Sequence, residues 1–212
     1  MRFNRRGFMI AAAMLAIGSG ISPTFAAAQG TGDPKAIVQS FYDALDETMK
    51  QGDELGFDGR YKKLEPVIRE TFDVPVMAKI AVGAEWTNLT ADEKDKLLQA
   101  FDRYMISTYA SRFKTDKGLK FEVGEVKTPA DNRTLVETRL IRPNGDPVAL
   151  NYLFRPDTSG SWKIIDVYLS GAISEMARMR SDFSATVTKG GAEALIAALD
   201  KKIVDIKNQP DQ

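Results

Sequence analysis

The chain has 212 residues, with 29 Lys and Arg against 29 Asp and Glu, and it contains neither Cys nor His. This length suits one domain with a sizeable core and is short for two. Without Cys, the chain can form no disulfide scaffold, thiolate nucleophile or cysteine–zinc site. Without His, it lacks the commonest general base and the commonest transition-metal ligand. The composition therefore favours binding over catalysis.

Residues 1–28 have the composition of a cleavable export signal. Arg5 and Arg6 make the start basic, an apolar run follows over 9–21, and Ala28 ends a run of three alanines that suits cleavage. The apolar run is too short and too rich in Gly and Ser to span a membrane well. Arg5-Arg6 fits a twin-arginine signal, and an ordinary Sec leader with adjacent arginines fits equally well, so both routes stay open.

The part of the chain after residue 28 has 26 basic residues against 29 acidic ones, a net charge of −3. A nucleic-acid-binding protein would show a basic footprint, so we expect no nucleic-acid partner. With no Cys for lipid attachment, the exported protein is predicted to be soluble.

The first half of the exported chain has the periodicity of amphipathic helices. Helices are predicted over 33–52, 60–71, 73–83 and 90–109, with a turn at 56–59. Asp33 and Asp73 precede the first and third helices as N-caps, and each is followed closely by a Pro. Thr90 and Glu93 have the spacing of a capping box. The acidic and basic run over 92–96 is interpreted as a solvated first helical turn, and no metal site is predicted there.

From residue 119 the apolar period changes to two, which predicts strands. Four strands are predicted, over 119–123, 134–140, 148–155 and 162–169. Short turns join them, including an Asn144-Gly145 hairpin, so they should form an antiparallel meander. A helix is predicted from Ile173, then an interruption at Gly190-Gly191 and a last helix to about 206. The predicted fold class is α+β, a four-stranded antiparallel sheet covered on one face by N- and C-terminal helices.

Two charges interrupt apolar faces near the end of the sheet. Asp166 falls on the strand face that holds Trp162 and Ile164, and Arg180 falls within the apolar stripe of the next helix. Because an unpaired buried charge is costly, Asp166 and Arg180 are predicted to form a structural ion pair. The alternative is that both side chains lie at the rim of the core and reach water, since Arg can extend along an apolar surface.

Asp166 and Arg180 belong to a longer series of residues whose order and spacing are similar to those of a known protein family. Its residues are Phe72, Asp73, Met77, Ala78, Gly83, Trp86, Leu89, Thr90, Phe101, Tyr109, Trp162, Asp166, Val167, Gly171, Arg180, Ser181, Phe183, Gly190, Leu195, Ile196, Leu199 and Lys202. Their order and spacing resemble the MlaC family of periplasmic lipid carriers, which serves lipid-asymmetry and toluene-tolerance systems and has a hopanoid-associated branch. The resemblance spans about 41–202, nearly all of the predicted single domain at 33–207.

The resemblance implies a deep apolar lipid cavity between the sheet and the helices. The residues implied to line it are Phe121, Val136, Leu150, Tyr152, Phe154, Ile164 and Met176. It also implies a periplasmic shuttle for a phospholipid or hopanoid, without cofactor or bond chemistry. Its implied partners are an outer-membrane lipoprotein complex and an inner-membrane ABC transporter with a substrate-binding ring.

Two other functions compete with the shuttle. Asp166, Arg180 and Tyr152 could form the site of a small secreted enzyme acting on an apolar substrate, although the chain lacks His and any nucleophile motif. Alternatively, the aromatic strand face and the methionines could simply fill a packed core, which the residues by themselves favour. A structural or adaptor domain would then have no internal cavity of ligand size.

Overall fold

The computed structural model describes residues 32–129 and 131–208, so the predicted export signal at 1–28 lies outside the described residues. The helices are α1 Pro34–Lys50, α2 Gly52–Thr71, α3 Val74–Val82, α4 Ala91–Arg112 and α5 Glu175–Lys207, with a 3-10 turn at Gly83–Asn88. The strands are β1 Lys120–Lys127, β2 Thr134–Ile141, β3 Val148–Pro156, β4 Trp162–Leu169 and β5 Ile173–Ser174. The α+β class is confirmed.

The sheet has the order β1-β2-β3-β4-β5, and every neighbouring pair is antiparallel. The sequence predicts four strands, so β5 is an addition at the edge of the sheet. Ser170 and Gly171 both have positive φ, 51° and 76°, and this tight turn brings Ile173 back beside Leu169. The predicted helix therefore begins two residues later than Ile173, after Ser174, whose side chain accepts from the Ala177 amide.

The predicted helix caps are confirmed. The Asp33 side chain accepts from the Lys35 amide at 3.1 Å, and Asp73 Oδ1 accepts from the Val76 amide at 3.1 Å. Both halves of the Thr90–Glu93 capping box are formed.

Two glycines interrupt helices that otherwise continue. Gly56 in α2 (φ 58°, ψ −174°) and Gly191 in α5 (φ 72°, ψ −173°) adopt backbone conformations that residues with a Cβ avoid. The predicted break at Gly190-Gly191 is confirmed. The turn predicted over 56–59 is reduced to the single residue Gly56.

The core lies between one face of the sheet and the helices. Phe41 is at its centre, with ring contacts to Phe72, Tyr109 and Tyr152 at centroid distances of 5.3, 5.5 and 6.2 Å. α5 packs along α3 and α4, which closes the helical layer over the sheet. None of the described helices is both long enough and apolar enough to cross a membrane.

A β-bulge in β4 changes which side chains face the helices. Phe154 pairs with Ile164, but the preceding residue, Leu153, pairs with Asp166, so Ile165 is an extra residue in β4. Strict alternation places Asp166 on the face of Ile164, and this prediction is wrong. Beyond the bulge it is Val167, paired with Tyr152, that shares the helix-facing side, and Asp166 lies on the opposite side.

Candidate functional site

An apolar pocket lies between β3 and β4 on one side and α3, α4 and α5 on the other. Its volume is about 680 Å3, including the part that is open to solvent. Its lining residues are Met77, Tyr104, Met105, Thr108, Tyr109, Arg112, Phe113, Leu150, Tyr152, Val167, Leu169, Glu175, Met176 and Met179. The pocket is narrow and partly open to solvent.

Four methionines on three helices form much of the wall: Met77 on α3, Met105 on α4, and Met176 and Met179 on α5. Met has three rotatable bonds and a polarisable sulfur, so such a wall can rearrange around guests of different shape at small cost. Leu150 and Leu169, paired across β3 and β4, form the facing wall. The pocket is therefore suited to flexible apolar chains.

Tyr109 and Tyr152 line the pocket, Tyr42 packs against Tyr152, and burial holds all three phenols neutral. The Tyr42 hydroxyl donates to Thr138 Oγ1 at 2.5 Å, and Thr138 donates onward to the Leu150 carbonyl. Burial raises the pKa of Tyr42 to about 12 despite the hydrogen bond with Thr138, and it raises the pKa of Tyr109 and of Tyr152 well above 10. None of these phenols can act as a base near neutral pH.

Among the described residues, two charged side chains line the pocket, Arg112 and Glu175. Arg112, the last residue of α4, is exposed, and in the described part of the chain it forms no ion pair. Glu175 begins α5 and is 7% exposed. Its carboxylate accepts from Arg178 through two contacts, Nε at 3.2 Å and Nη2 at 2.8 Å. Sequence reasoning missed Arg112 and Glu175, although Tyr104, Thr108 and Arg112 recur at helical spacing and could have indicated one face.

The structure divides the predicted lining residues into two groups. Leu150, Tyr152 and Met176 line the pocket. Val136, Phe154 and Ile164 share the same sheet face but are fully buried in the core, outside the pocket lining. Phe121 also lies away from the pocket and stacks on Tyr42 with ring centroids 4.3 Å apart. Contact of any of the seven with a lipid stays a prediction.

The structure does not bring Asp166 and Arg180 together. Asp166 accepts from the Val167 amide at 2.7 Å, from Ser174 Oγ at 2.5 Å and from the Met176 amide at 3.2 Å. Arg180 is exposed on α5 and lies against Gly83, where an added Cβ would be 2.7 Å from Arg180 Nε. The bulge at Ile165 turns Asp166 towards β5 and the start of α5, which supply donors in place of Arg180.

The residues of the alternative enzyme site are also separated. Tyr152 pairs with Val167 and faces the helices, whereas Asp166 pairs with Leu153 on the other side of the sheet. Burial raises the pKa of Asp166, and its three donors come from β4, from β5 and from the first turn of α5, away from Tyr152. Within the described ranges, no cluster of three or more His, Cys, Asp or Glu residues could hold a metal ion.

Comparison with known proteins identifies a family and a solved structure of the same fold. The family model described as MlaC protein matches residues 39–201. A solved structure of a phospholipid-binding protein from Ralstonia solanacearum, in complex with a phospholipid, superposes with a TM-score of 0.72. The two sequences are 23% identical, and the match covers 82% of this chain and 99% of that chain, so the likeness shows a shared fold. A comparison with curated proteins found no match.

Proposed function

The chain belongs to the MlaC family, and we propose that it is a lipid-binding carrier that holds the acyl chains of a phospholipid in the pocket between sheet and helices. The single observation that carries this proposal is the apolar pocket, which is walled by methionines and leucines and open at a charged rim. A long flexible apolar chain fits such a wall, and a polar head group would remain at the rim.

Phospholipid is the first choice of cargo because the Ralstonia solanacearum protein of the same fold was solved with a phospholipid bound. A hopanoid would need similar apolar volume, and it would require a wider, more rigid space for its rings. The pocket is narrow in this structure. We therefore expect methionine side chains to move apart as an acyl chain enters.

The carrier is proposed to make and break no bonds. The phenols in the pocket are kept neutral by burial, and Asp166 lies on the other side of the sheet from Tyr152. In the described part of the chain, the carboxylate in the pocket lining belongs to Glu175, and Arg178 already pairs with it. Among the described residues, these positions leave the pocket without an unpaired carboxylate or an ionised phenol beside an apolar guest.

The cellular setting remains a proposal from the sequence and the family resemblance. Export through the segment at 1–28 would place the carrier in the periplasm. There it would exchange lipid between an outer-membrane lipoprotein complex and an inner-membrane ABC transporter with a substrate-binding ring. The direction of transport would follow from the affinities of these partners and the energy supplied at the transporter.

The proposal is tested by narrowing the pocket. Thr108 lines the pocket, and its hydroxyl donates to the Tyr104 carbonyl one turn earlier on its own helix. Thr188 makes the equivalent bond to the Ser184 carbonyl on the exposed surface of α5. Thr108→Trp should therefore fill the pocket, and Thr188→Trp is a matched control. The readouts are native mass spectrometry of the purified proteins and transfer of a labelled phospholipid between vesicles.

We expect the wild-type protein and Thr188→Trp to carry phospholipid and to transfer it, and Thr108→Trp to fold but carry much less. The proposal fails if the wild-type protein neither co-purifies with a phospholipid nor takes one up from vesicles. It also fails if folded Thr108→Trp keeps the full lipid load. A co-purified polycyclic lipid in place of phospholipid would change the cargo and leave the pocket assignment standing.

A further inference from the structure

Arg112 occupies the end of the pocket-facing stripe of α4. Tyr104, Thr108 and Arg112 follow one another at intervals of four residues, and all three line the pocket. Tyr109, one turn before Arg112, also lines the pocket, and the charge of Arg112 is close enough to affect the pKa of its hydroxyl. The guanidinium therefore lies where the apolar pocket meets solvent.

The other charged residue of the pocket lining, Glu175, already has an ion-pair partner. Glu175 and Arg178 form a two-contact pair, and Glu175 is nearly buried. Arg112 forms no ion pair with any residue in the described ranges, so the rim keeps one uncompensated positive charge. An arginine elsewhere on α4, Arg103, is in contrast paired with Asp200 at 2.7 Å.

The end of α4 does not use the Arg112 side chain for capping. The Ala110 carbonyl accepts from Arg60 Nε at 2.8 Å, and the Tyr109 carbonyl accepts from the Phe113 amide at 3.0 Å. Two of the last carbonyls are thus satisfied from elsewhere. The guanidinium remains free to bind a guest.

We infer that Arg112 binds the phosphate of the carried lipid, so that the carrier selects phosphate-bearing diacyl lipids over uncharged lipids with the same tails. This inference rests on the proposed lipid-binding function. A guanidinium offers paired N–H donors that match two phosphate oxygens, which gives a charge-assisted and oriented contact. The hydroxyl of Tyr109 forms no hydrogen bond in the described part of the chain and can add a neutral donor to the same group. Recognition of the phosphate leaves the alcohol attached to it free to vary.

The test compares lipids that differ only at the head. Vesicles containing equal amounts of dioleoyl phosphatidylglycerol and dioleoylglycerol are offered to the lipid-free protein, and native mass spectrometry gives the ratio of the two bound lipids. The variants are Arg112→Gln and Arg112→Lys. Arg139→Gln is the control, because this substitution also removes one positive charge. Arg139 is exposed and lies outside the pocket lining.

We expect wild type and Arg139→Gln to favour phosphatidylglycerol, and Arg112→Gln to lose about tenfold or more of that preference, as loss of a charge-assisted hydrogen bond predicts. Binding of dioleoylglycerol should stay unchanged in Arg112→Gln, and Arg112→Lys should keep part of the preference. Melting curves check that each variant is folded.

Several results would overturn the inference. These are an unchanged preference in Arg112→Gln, an equal loss of both lipids, or an equal loss of preference in Arg139→Gln. Binding of inorganic phosphate that depends on Arg112 without any change in the lipid ratio would mark a free-anion site and overturn it as well. If wild type takes up neither lipid, the proposed function itself fails, which is a distinguishable result.

Discussion

The carboxylate of Asp166 in β4 accepts a hydrogen bond of 3.2 Å from the amide of Met176, in the first turn of α5. The same side chain accepts from Ser174 Oγ and from the Val167 amide, so one residue joins the last long strand, the edge strand β5 and the start of the last helix. Met176 lines the pocket. This contact therefore fixes one wall of the pocket relative to the sheet.

The first prediction compares two changes at Asp166. Asp166→Asn keeps an oxygen that can accept from the two amides, so its cost should be below about 1 kcal/mol. Asp166→Ala leaves both buried amides and the Ser174 hydroxyl without their acceptor, and should cost about 1–3 kcal/mol in the free energy of unfolding. Urea denaturation at pH 7 measures both. If Asp166→Asn were as unstable as Asp166→Ala, this account would be contradicted. The negative charge of Asp166 would then be required for stability.

The pKa of Asp166 adds a pH test. Burial raises this pKa above its usual value, so the protonated acid is favoured in the folded state. A raised folded pKa gives stability that is complete below the unfolded pKa of about 4 and is lost as pH rises through the folded pKa. Relative to Asp166→Asn, the wild type should therefore gain stability as pH is lowered towards 4. A wild type that loses stability relative to the variant in this range would contradict the assignment.

The second prediction concerns Arg60, which is 2% exposed. It donates to the carbonyls of Ala110 at 2.8 Å and Gly52 at 2.7 Å, and so joins the end of α4 to the start of α2. Arg60→Met removes both donors and leaves buried carbonyls unpaired, at a cost of about 2–4 kcal/mol. Thermal and urea unfolding provide the measurement.

Arg69→Met is the matched control for Arg60→Met. Arg69 is on the same helix, but its side chain is 54% exposed, and it pairs with Asp102 and Glu65 at the surface. Loss of such a pair should cost less than about 1 kcal/mol. If both changes lowered the free energy of unfolding equally, the burial of Arg60 would not make its contribution to stability larger than that of Arg69.

The sequence predicts the helices, their caps and the strand pattern because each depends on neighbouring residues. The Asp33 and Asp73 caps and the Thr90–Glu93 box are local devices of this kind, and all three are present. The bulge at Ile165 is different. It extends a strand by one residue without any Gly or Pro signal, and it moves Asp166 to the other side of the sheet.

Membership of the pocket could be predicted only in part. The helix-facing side of β3 was predicted correctly, but the position along the strand decides whether a side chain meets the pocket or other core residues. Leu150 and Tyr152 meet the pocket, whereas Phe154 packs in the core. Whether a residue of this face meets the pocket depends on how α3, α4 and α5 pack over the sheet. The hydrophobic periodicity of the sequence carries no information about that packing. Arg112 was missed for the same reason.

The third prediction concerns alkaline unfolding. Burial raises the pKa of Tyr42 to about 12, against about 10 in an unfolded chain. A raised folded pKa means that the stabilisation is complete below pH 10 and is lost as pH rises to 12, by about 2 kcal/mol for this residue. Urea midpoints between pH 9 and 12, with tyrosinate absorbance, measure the loss.

Tyr42→Phe should reduce this pH dependence of stability. Tyr152 is buried beside Tyr42 and Tyr109 is partly buried against the same core, and the pKa of each is also raised. Part of the alkaline loss should therefore remain in Tyr42→Phe. Tyrosinate absorbance that rises fully near pH 10 in the folded protein would contradict the buried, neutral cluster.

The last prediction separates the pocket from the core by placing an arginine in each. Leu150 is partly buried and lines the pocket, while Phe154, two pairs away on the same strand face, is 0% exposed and lies outside the lining. Leu150→Arg can extend its side chain along the pocket to the solvent-exposed rim, so the variant should fold and carry little lipid. Phe154→Arg buries an unpaired guanidinium, which should unfold a domain whose net stability is typically about 5–15 kcal/mol.

Val126→Arg is the control for the arginine itself, because Val126 on β1 is 45% exposed, and this variant should fold and keep its lipid. Soluble yield, melting temperature and native mass spectrometry are measured for all three proteins. If Leu150→Arg unfolds like Phe154→Arg, the Leu150 site is packed like the core and has no path to the rim. If Leu150→Arg folds and keeps a full lipid load, the lipid lies elsewhere, since a guanidinium and an acyl chain cannot fill the same narrow space between Leu169 and α4.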